Sequence, residues 1–265
     1  MKKVGLIILA VLFMLGVASA SWAGDTLVDV KKKGVLVCGV KDSTKPFGFI
    51  DEKTRSITGY DVDFCTAIAK KLGVKLELKP VTSSTRMPDL ITGKIDLIAA
   101  TMTKNEERAK QIDFSYMYFY TEQKFLARKG TVKTLSDLAG KKIATSKGST
   151  SEQNAKKALP TATILSFDDY PPAFLALQQG RVAAVTTDES ILVGLMNATK
   201  DKNSYEIPNI PISKEPYGLG MRKGDTNFVN FVNKTLMAME KSGESDKVYR
   251  KWFPGKRLFK ITDKQ

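Results

Sequence analysis

The stretch Ile95-Asp-Leu-Ile-Ala-Ala-Thr-Met-Thr-Lys-Asn-Glu-Glu-Arg108 runs an apolar segment directly into hydroxyl, acidic and basic residues. Residues 95–100 read as a buried strand, introduced by the turn at Gly93. Residues 103–108 open a short helix. A strand whose carboxyl end opens into a helix is where α/β sheets hold ligands. Backbone N–H groups, the Thr103 hydroxyl and the Arg108 fork together suit a carboxylate. A surface ion pair of Arg108 with Glu107 fits the same residues.

Upstream, residues 35–40 form an apolar strand after Gly34, and residues 61–72 set Phe64, Ile68 and Leu72 on one helical face, stopped by Gly73. Residues 74–79 alternate as a half-buried strand does, and a short helix at 87–92 ends at Gly93. Downstream, the same grammar restarts after Arg128-Lys-Gly130. A strand at 142–145 precedes a helix opened by Ser149, with Glu152 completing a capping box. Strands at 164–167 and 182–186 flank a helix at 173–179, and residues 218–221 form one more short strand. The last helix aligns Phe228, Phe231, Leu236 and Met239. Alternating strands and helices define an α/β chain. No repeat or flexible linker divides it, so two α/β lobes joined by ordered strands are expected.

The chain has 265 residues, enough for one large domain or two small ones, and 42% of them are hydrophobic, which excludes a disordered chain. It contains no histidine, which removes Ser-His-Asp and Cys-His catalysis and His-containing zinc sites. Two cysteines, Cys38 and Cys65, are too few for a four-thiolate site; a disulfide and a pair of buried thiols both fit them. No cofactor or metal is expected. The start Met1-Lys-Lys3, the apolar run 4–17 and the small-x-small patterns Ala18-Ser-Ala20 and Ser21-Trp-Ala23 have the form of a secretory signal peptide over 1–23. An apolar run this short does not span a bilayer, and no cysteine follows it for lipid anchoring. The expected location is the periplasm. Lys+Arg exceeds Asp+Glu by 14, and by 12 once Lys2 and Lys3 are removed. These charges are scattered, with Lys31-Lys-Lys33 the longest run, so solvated faces are expected rather than a nucleic-acid site.

Two further strand-to-helix turns carry polar groups. Ser146-Lys-Gly-Ser149 suits helix capping and anion contact alike. Asp188, ending a strand, can receive an ammonium or cap the next helix. The segments Gly39-Val-Lys-Asp-Ser-Thr-Lys-Pro-Phe47, Gly59-Tyr-Asp-Val-Asp63, Thr103 to Arg108 with Ile112-Asp-Phe-Ser115, Gly148-Ser-Thr-Ser-Glu152 and Thr187-Asp188 follow one another in order. In that register the chain resembles the polar amino-acid-binding proteins of bacterial ABC importers, extracellular solute-binding family 3, over residues 26–253. Thr82-Ser-Ser-Thr-Arg86-Met-Pro88 is similar to the glutamate/aspartate-binding branch.

The resemblance implies a periplasmic-binding-protein type II fold, with two α/β lobes joined by a two-strand hinge near 118–124 and 211–217. Residues 24–121 plus 217–265 would build one lobe and residues 122–216 the other. It implies a monomer that captures an amino acid, performs no chemistry and delivers its ligand to the permease subunits of an ABC transporter. Arg108, Thr103 and the backbone at Ser149 would hold the α-carboxylate; Asp188 would hold the α-ammonium, with help near Thr101. The family's cation-binding members have an aspartate where this chain has Lys41, and the glutamate/aspartate branch often has an arginine there and a histidine at Tyr170. Lys41 and Arg86 in one cleft disfavour a cationic ligand. They favour a second carboxylate, with Ser83 and Ser146 as hydroxyl donors, so L-glutamate or L-aspartate is expected and glutamine is the alternative. Cyclohexadienyl dehydratases, which share the fold, offer a rival reading as a cleft enzyme, with Glu106, Glu107 or Glu189 as general acid. N-terminal sequencing of the exported protein is expected to begin Gly24-Asp25-Thr26; a start at Ser21 would move the cleavage to Ala20, and an intact Met1 would overturn it.

Overall fold

The computed structural model describes residues 24–262, and the expected leader at 1–23 lies outside the described residues. The chain begins with α1 (Thr26–Lys33) and β1 (Val35–Val40), followed by a small antiparallel sheet of β2 (Ser43–Thr44), β3 (Gly48–Ile50) and β4 (Ile57–Thr58). Next come α2 (Tyr60–Leu72), β5 (Lys75–Pro80), α3 (Arg86–Ile91), β6 (Leu97–Ala99) and α4 (Glu106–Ala109). The long strand β7 (Ile112–Arg128) leads to β8 (Lys142–Ser146), α5 (Thr150–Ala158), β9 (Thr163–Phe167), α6 (Tyr170–Gln178), β10 (Ala184–Asp188), α7 (Glu189–Asn197) and β11 (Tyr205–Glu206). The chain then returns through β12 (Ser213–Arg222) to α8 (Thr226–Ser242) and α9 (Glu244–Trp252).

The main sheet has the order β5-β1-β6-β12-β7-β10-β8-β9, with β11 on β7. Two parallel trios, β5-β1-β6 and β10-β8-β9, stand on either side of the antiparallel pair β12-β7. β12 reaches β6 only at Gly220↔Ile98, whereas β7 meets β10 over residues 123–127. The expected crossings near 118–124 and 211–217 therefore lie side by side, with Phe119 opposite Tyr217 and Gln123 opposite Ser213. This is the expected type of fold, two α/β lobes linked by paired strands.

Local chemistry sets the helix ends. Asp25 accepts the Leu27 and Val28 N–H groups to start α1, and Gly34, in the left-handed region, stops it. Lys31, Lys32 and Lys33 fill the last turn of α1, where cations complement the helix dipole. The helix expected at 173–179 begins earlier, at Tyr170, because Pro171 and Pro172 fall in its first turn, where a missing N–H is not required. The strand expected at 218–221 extends to ten residues because β7 supplies a partner along its length. Of β7 only the crossing at 118–124 is expected from the sequence, and α9 is not. The core joins Phe47, Tyr60, Phe64, Tyr118, Phe119 and Tyr217 beneath the paired strands, with Phe47 edge-on to Phe119 at 4.9 Å. Cys38 and Cys65 are free thiols buried in the same core, and burial together with the Cys38 thiol pushes the Cys65 thiol well up.

Buried Asp96 ties the first and last segments together: it accepts from Lys33 Nζ at 2.6 Å, from the Val37 N–H at 3.0 Å and from Arg222 Nη2 at 3.3 Å. Asp96→Ala leaves Arg222 and the Val37 N–H without this acceptor and is expected to lower folding stability by about 2–4 kcal/mol. Denaturant unfolding measures it, and a loss under about 0.5 kcal/mol would contradict this role.

Candidate functional site

Every residue singled out in the sequence sits at the carboxyl end of a parallel strand or on the element that follows it. Lys41 follows β1, Ser83 and Arg86 follow β5, and Thr101 and Thr103 follow β6, with Arg108 on α4. From the other trio, Ser146 ends β8, Ser149 caps α5 after it, Tyr170 starts α6 after β9, and Asp188 ends β10. All ten are buried. The two trios point these ends at one another, so the polar groups converge between the lobes.

Arg108 donates from Nη1 to the Thr103 carbonyl at 2.9 Å and from Nη2 across the cleft to the Gly148 carbonyl at 3.4 Å. Glu107 pairs with Lys110 instead, so the alternative surface pair for Arg108 is not formed. Burial, with Arg86 nearby, lowers the Arg108 pKa to about 9. Asp188 accepts from the Tyr217 hydroxyl through Oδ2, while its buried Oδ1 has no partner among the described residues. It occupies the N-cap position of α7 but makes no capping bond, unlike Ser149, whose hydroxyl accepts the Glu152 N–H. Burial and nearby Glu215 push the Asp188 carboxyl up to about 8.

Arg86 donates from Nη1 to the Ala100 and Thr101 carbonyls, and its buried Nε has no partner among the described residues. Thr101 has a φ of 48°, a left-handed conformation unusual for a β-branched residue. Its N–H reaches Asp61 at 2.9 Å, its hydroxyl the Ala100 carbonyl at 2.8 Å, and its carbonyl Arg86, which together hold the strained turn. Lys41 is not at a rim: it is 0% exposed, 3.5 Å from Asp169 across the cleft and 5.9 Å from the centre of the Tyr170 ring. Burial lowers the Lys41 pKa to about 8, against the opposing pull of Asp169. Burial raises the Tyr170 phenol to about 12. Ser146 Oγ is 3.4 Å from the Asp168 carbonyl.

Three carboxyls, one backbone carbonyl and a tyrosine belong to this constellation without having been singled out as site residues. Glu215, on β12, accepts from Thr103 at 2.6 Å, Thr150 at 2.8 Å and Asn154 at 3.0 Å, and from Ser213. Asp61 accepts from Tyr118 and Thr101, and burial raises its carboxyl to about 7. Asp169 receives Lys41 and Ser43, Asp168 contributes its carbonyl, and Tyr217 holds Asp188. Asp61 stands in one of the quoted motifs and Asp169 beside Tyr170, so position could have found them. Glu106 and Glu107 are exposed, and Glu189 pairs with Lys124 at 3.0 Å. Among the described residues no cluster of His, Cys, Asp or Glu could hold a metal.

Asp188 and Asp61 both keep protons in the folded state at pH values where the unfolded chain has lost them. Their contribution to stability is full below about pH 4 and is lost as pH rises through about 7 to 8. The melting temperature of ligand-free protein is expected to fall across that window, and Asp188→Asn, which stays neutral, to flatten the fall and melt higher at pH 8. A variant as pH-sensitive as the parent would refute the assignment.

Residues 36–255 match the family model of bacterial extracellular solute-binding proteins, family 3. The chain is 40% identical over 242 residues to the ABC transporter glutamine-binding protein GlnH of Bacillus subtilis (strain 168), covering 89% of this chain and 88% of the relative. It is 34% identical to the L-glutamate/L-aspartate-binding protein of Pseudomonas aeruginosa, covering 86% and 80%. A solved structure of an ancestral arginine-binding protein bound to glutamine superposes with a TM-score of 0.79 at 42% identity, covering 84% of this chain and 99% of that one. With the strand-end cleft and its buried charges, these likenesses establish that the chain belongs to the bacterial extracellular solute-binding proteins, family 3.

Proposed function

We propose that the protein captures a polar amino acid between its lobes, outside the inner membrane, and presents it to the permease of an ABC importer, with glutamine as the preferred ligand. The lobes would comprise residues 24–121 plus 217–265 and residues 122–216. Two buried atoms carry the reading. Asp188 Oδ1 is a buried carboxyl oxygen and Arg86 Nε a cationic donor, and neither has a partner among the described residues. An amino acid supplies both complements: its ammonium on Asp188, and a side-chain oxygen on Arg86. Its α-carboxylate would take Arg108 and the first N–H groups of α5 behind Ser149, with the Thr103 hydroxyl turning from Glu215 to join them. Ser83, Ser146 and Tyr170 would line the side-chain end.

The pairing of Lys41 with Asp169 supports an amide ligand over a second carboxylate. Because Asp169 already opposes the Lys41 charge, a second ligand carboxylate there would meet an anion as well as a cation. An amide offers an oxygen to Lys41 or Arg86 and N–H groups to Asp169, which suits the pair better. L-glutamate or L-aspartate is the second reading, favoured by Arg86, which forms no ion pair with a carboxylate of the described residues.

Calorimetry is expected to show saturable glutamine binding at micromolar Kd or tighter, about −8 kcal/mol, and none of arginine or lysine. Arg108→Ala should weaken every ligand by about 2–5 kcal/mol. Asp169→Asn frees the Lys41 charge and should move preference from glutamine toward glutamate. Tight arginine binding, or an unchanged preference in Asp169→Asn, would refute the corresponding step.

A further inference from the structure

Gly194 lies in the middle of α7, where glycine is the least favourable residue other than proline. Its φ is not in the left-handed region, so the helix itself does not require it. The requirement comes from across the cleft. A Cβ placed on Gly194 would overlap the Lys45 carbonyl oxygen and lie 2.9 Å from the Lys45 carbonyl carbon. Lys45 belongs to the loop between β2 and β3, on the opposite lobe.

Neither backbone can yield within its own lobe. The Thr44 carbonyl accepts the Phe47 N–H at 2.8 Å, which closes the turn around Lys45, and the Pro46 carbonyl accepts the Tyr60 N–H at 3.0 Å, which fastens that turn to the start of α2. On the other side, α7 is seated by buried Ile191, Leu192 and Leu195. Hollows of about 630 and 460 Å³ flank the contact, so at this place the lobes meet at a point and not over a broad face. A second close approach, Gly148 against Ser84, lies beside the Arg108 contact to Gly148, but Gly148 has a φ of 75° and needs glycine for its own backbone.

We infer that Gly194 is a positioning residue for ligand capture: its missing side chain lets the Lys45 carbonyl seat on α7, and this contact sets how far the lobes close. The inference rests on the capture function proposed above. A methyl group at Gly194 would be harmless while the lobes are apart and would hold them apart as they close, withdrawing Arg108 and Lys41 from their partners on the other lobe.

The test compares wild type with Gly194→Ala, using full-length mature protein. Three measurements are made: melting of the ligand-free protein, calorimetric titration with glutamine, glutamate and aspartate, and small-angle scattering with each amino acid at saturation. Ala is expected to leave ligand-free melting unchanged or raise it, to weaken binding roughly tenfold or more through the overpacked contact, and to enlarge the radius of gyration of the liganded protein. Equal affinity, or a lowered ligand-free melting temperature, would overturn the inference, the latter by making Gly194 a requirement of the lobe itself. Should wild type bind none of the three, the capture reading fails and takes with it the inference that rests on it, whereas binding by wild type with equal affinity in the variant overturns the inference alone.

Discussion

Charge removed from water must be answered by charge or by hydrogen bonds, and that requirement governs the space between the lobes. Lys41, Arg86 and Arg108 are buried there alongside Asp61, Asp169, Asp188 and Glu215. No single element could supply so many partners. Glu215 is satisfied by side chains from the turn after β6, from α5 and from its own strand, while Arg86 Nη1 finds two backbone carbonyls of a strained turn and leaves Nε open. Each lobe contributes only part of the compensation, so Lys41 meets Asp169 and Arg108 meets the Gly148 carbonyl only when the halves are together.

The sheet makes that meeting possible. Parallel strands deliver their carboxyl ends to one edge, and two parallel trios flanking an antiparallel pair direct those edges toward each other. Side chains then enter the cleft from loops and first turns whose backbones are anchored by strands behind them. Precision of placement comes from the strands, and chemical character from the turns.

Residues at the strand ends were legible in the sequence because a local pattern, an apolar run followed by hydroxyls and charge, marks them. Arg108 and Asp188 are of this kind. The α/β class followed from the alternation of strands and helices, and the type of fold from the family resemblance. Glu215 was not legible: it is a lone acid between Lys214 and Pro216 in a strand, and its partner Thr103 is 112 positions away. The partner of Lys41 was hidden for the same reason, since Asp169 stands 128 positions away and no periodicity links them. Without that partner Lys41 reads as a free cation awaiting a carboxylate. With it, the charge left over for a ligand is smaller.

The strand order also divides the chain in time. β8, β9 and β10 find their neighbours within one continuous stretch, whereas β6 and Asp96 must wait for β12 and Arg222, which arrive more than a hundred residues later. Closing so large a loop is entropically costly and slow. The half holding both ends of the main sheet's return path is thus the last to consolidate, and a nascent chain stays pliable until its final third has emerged.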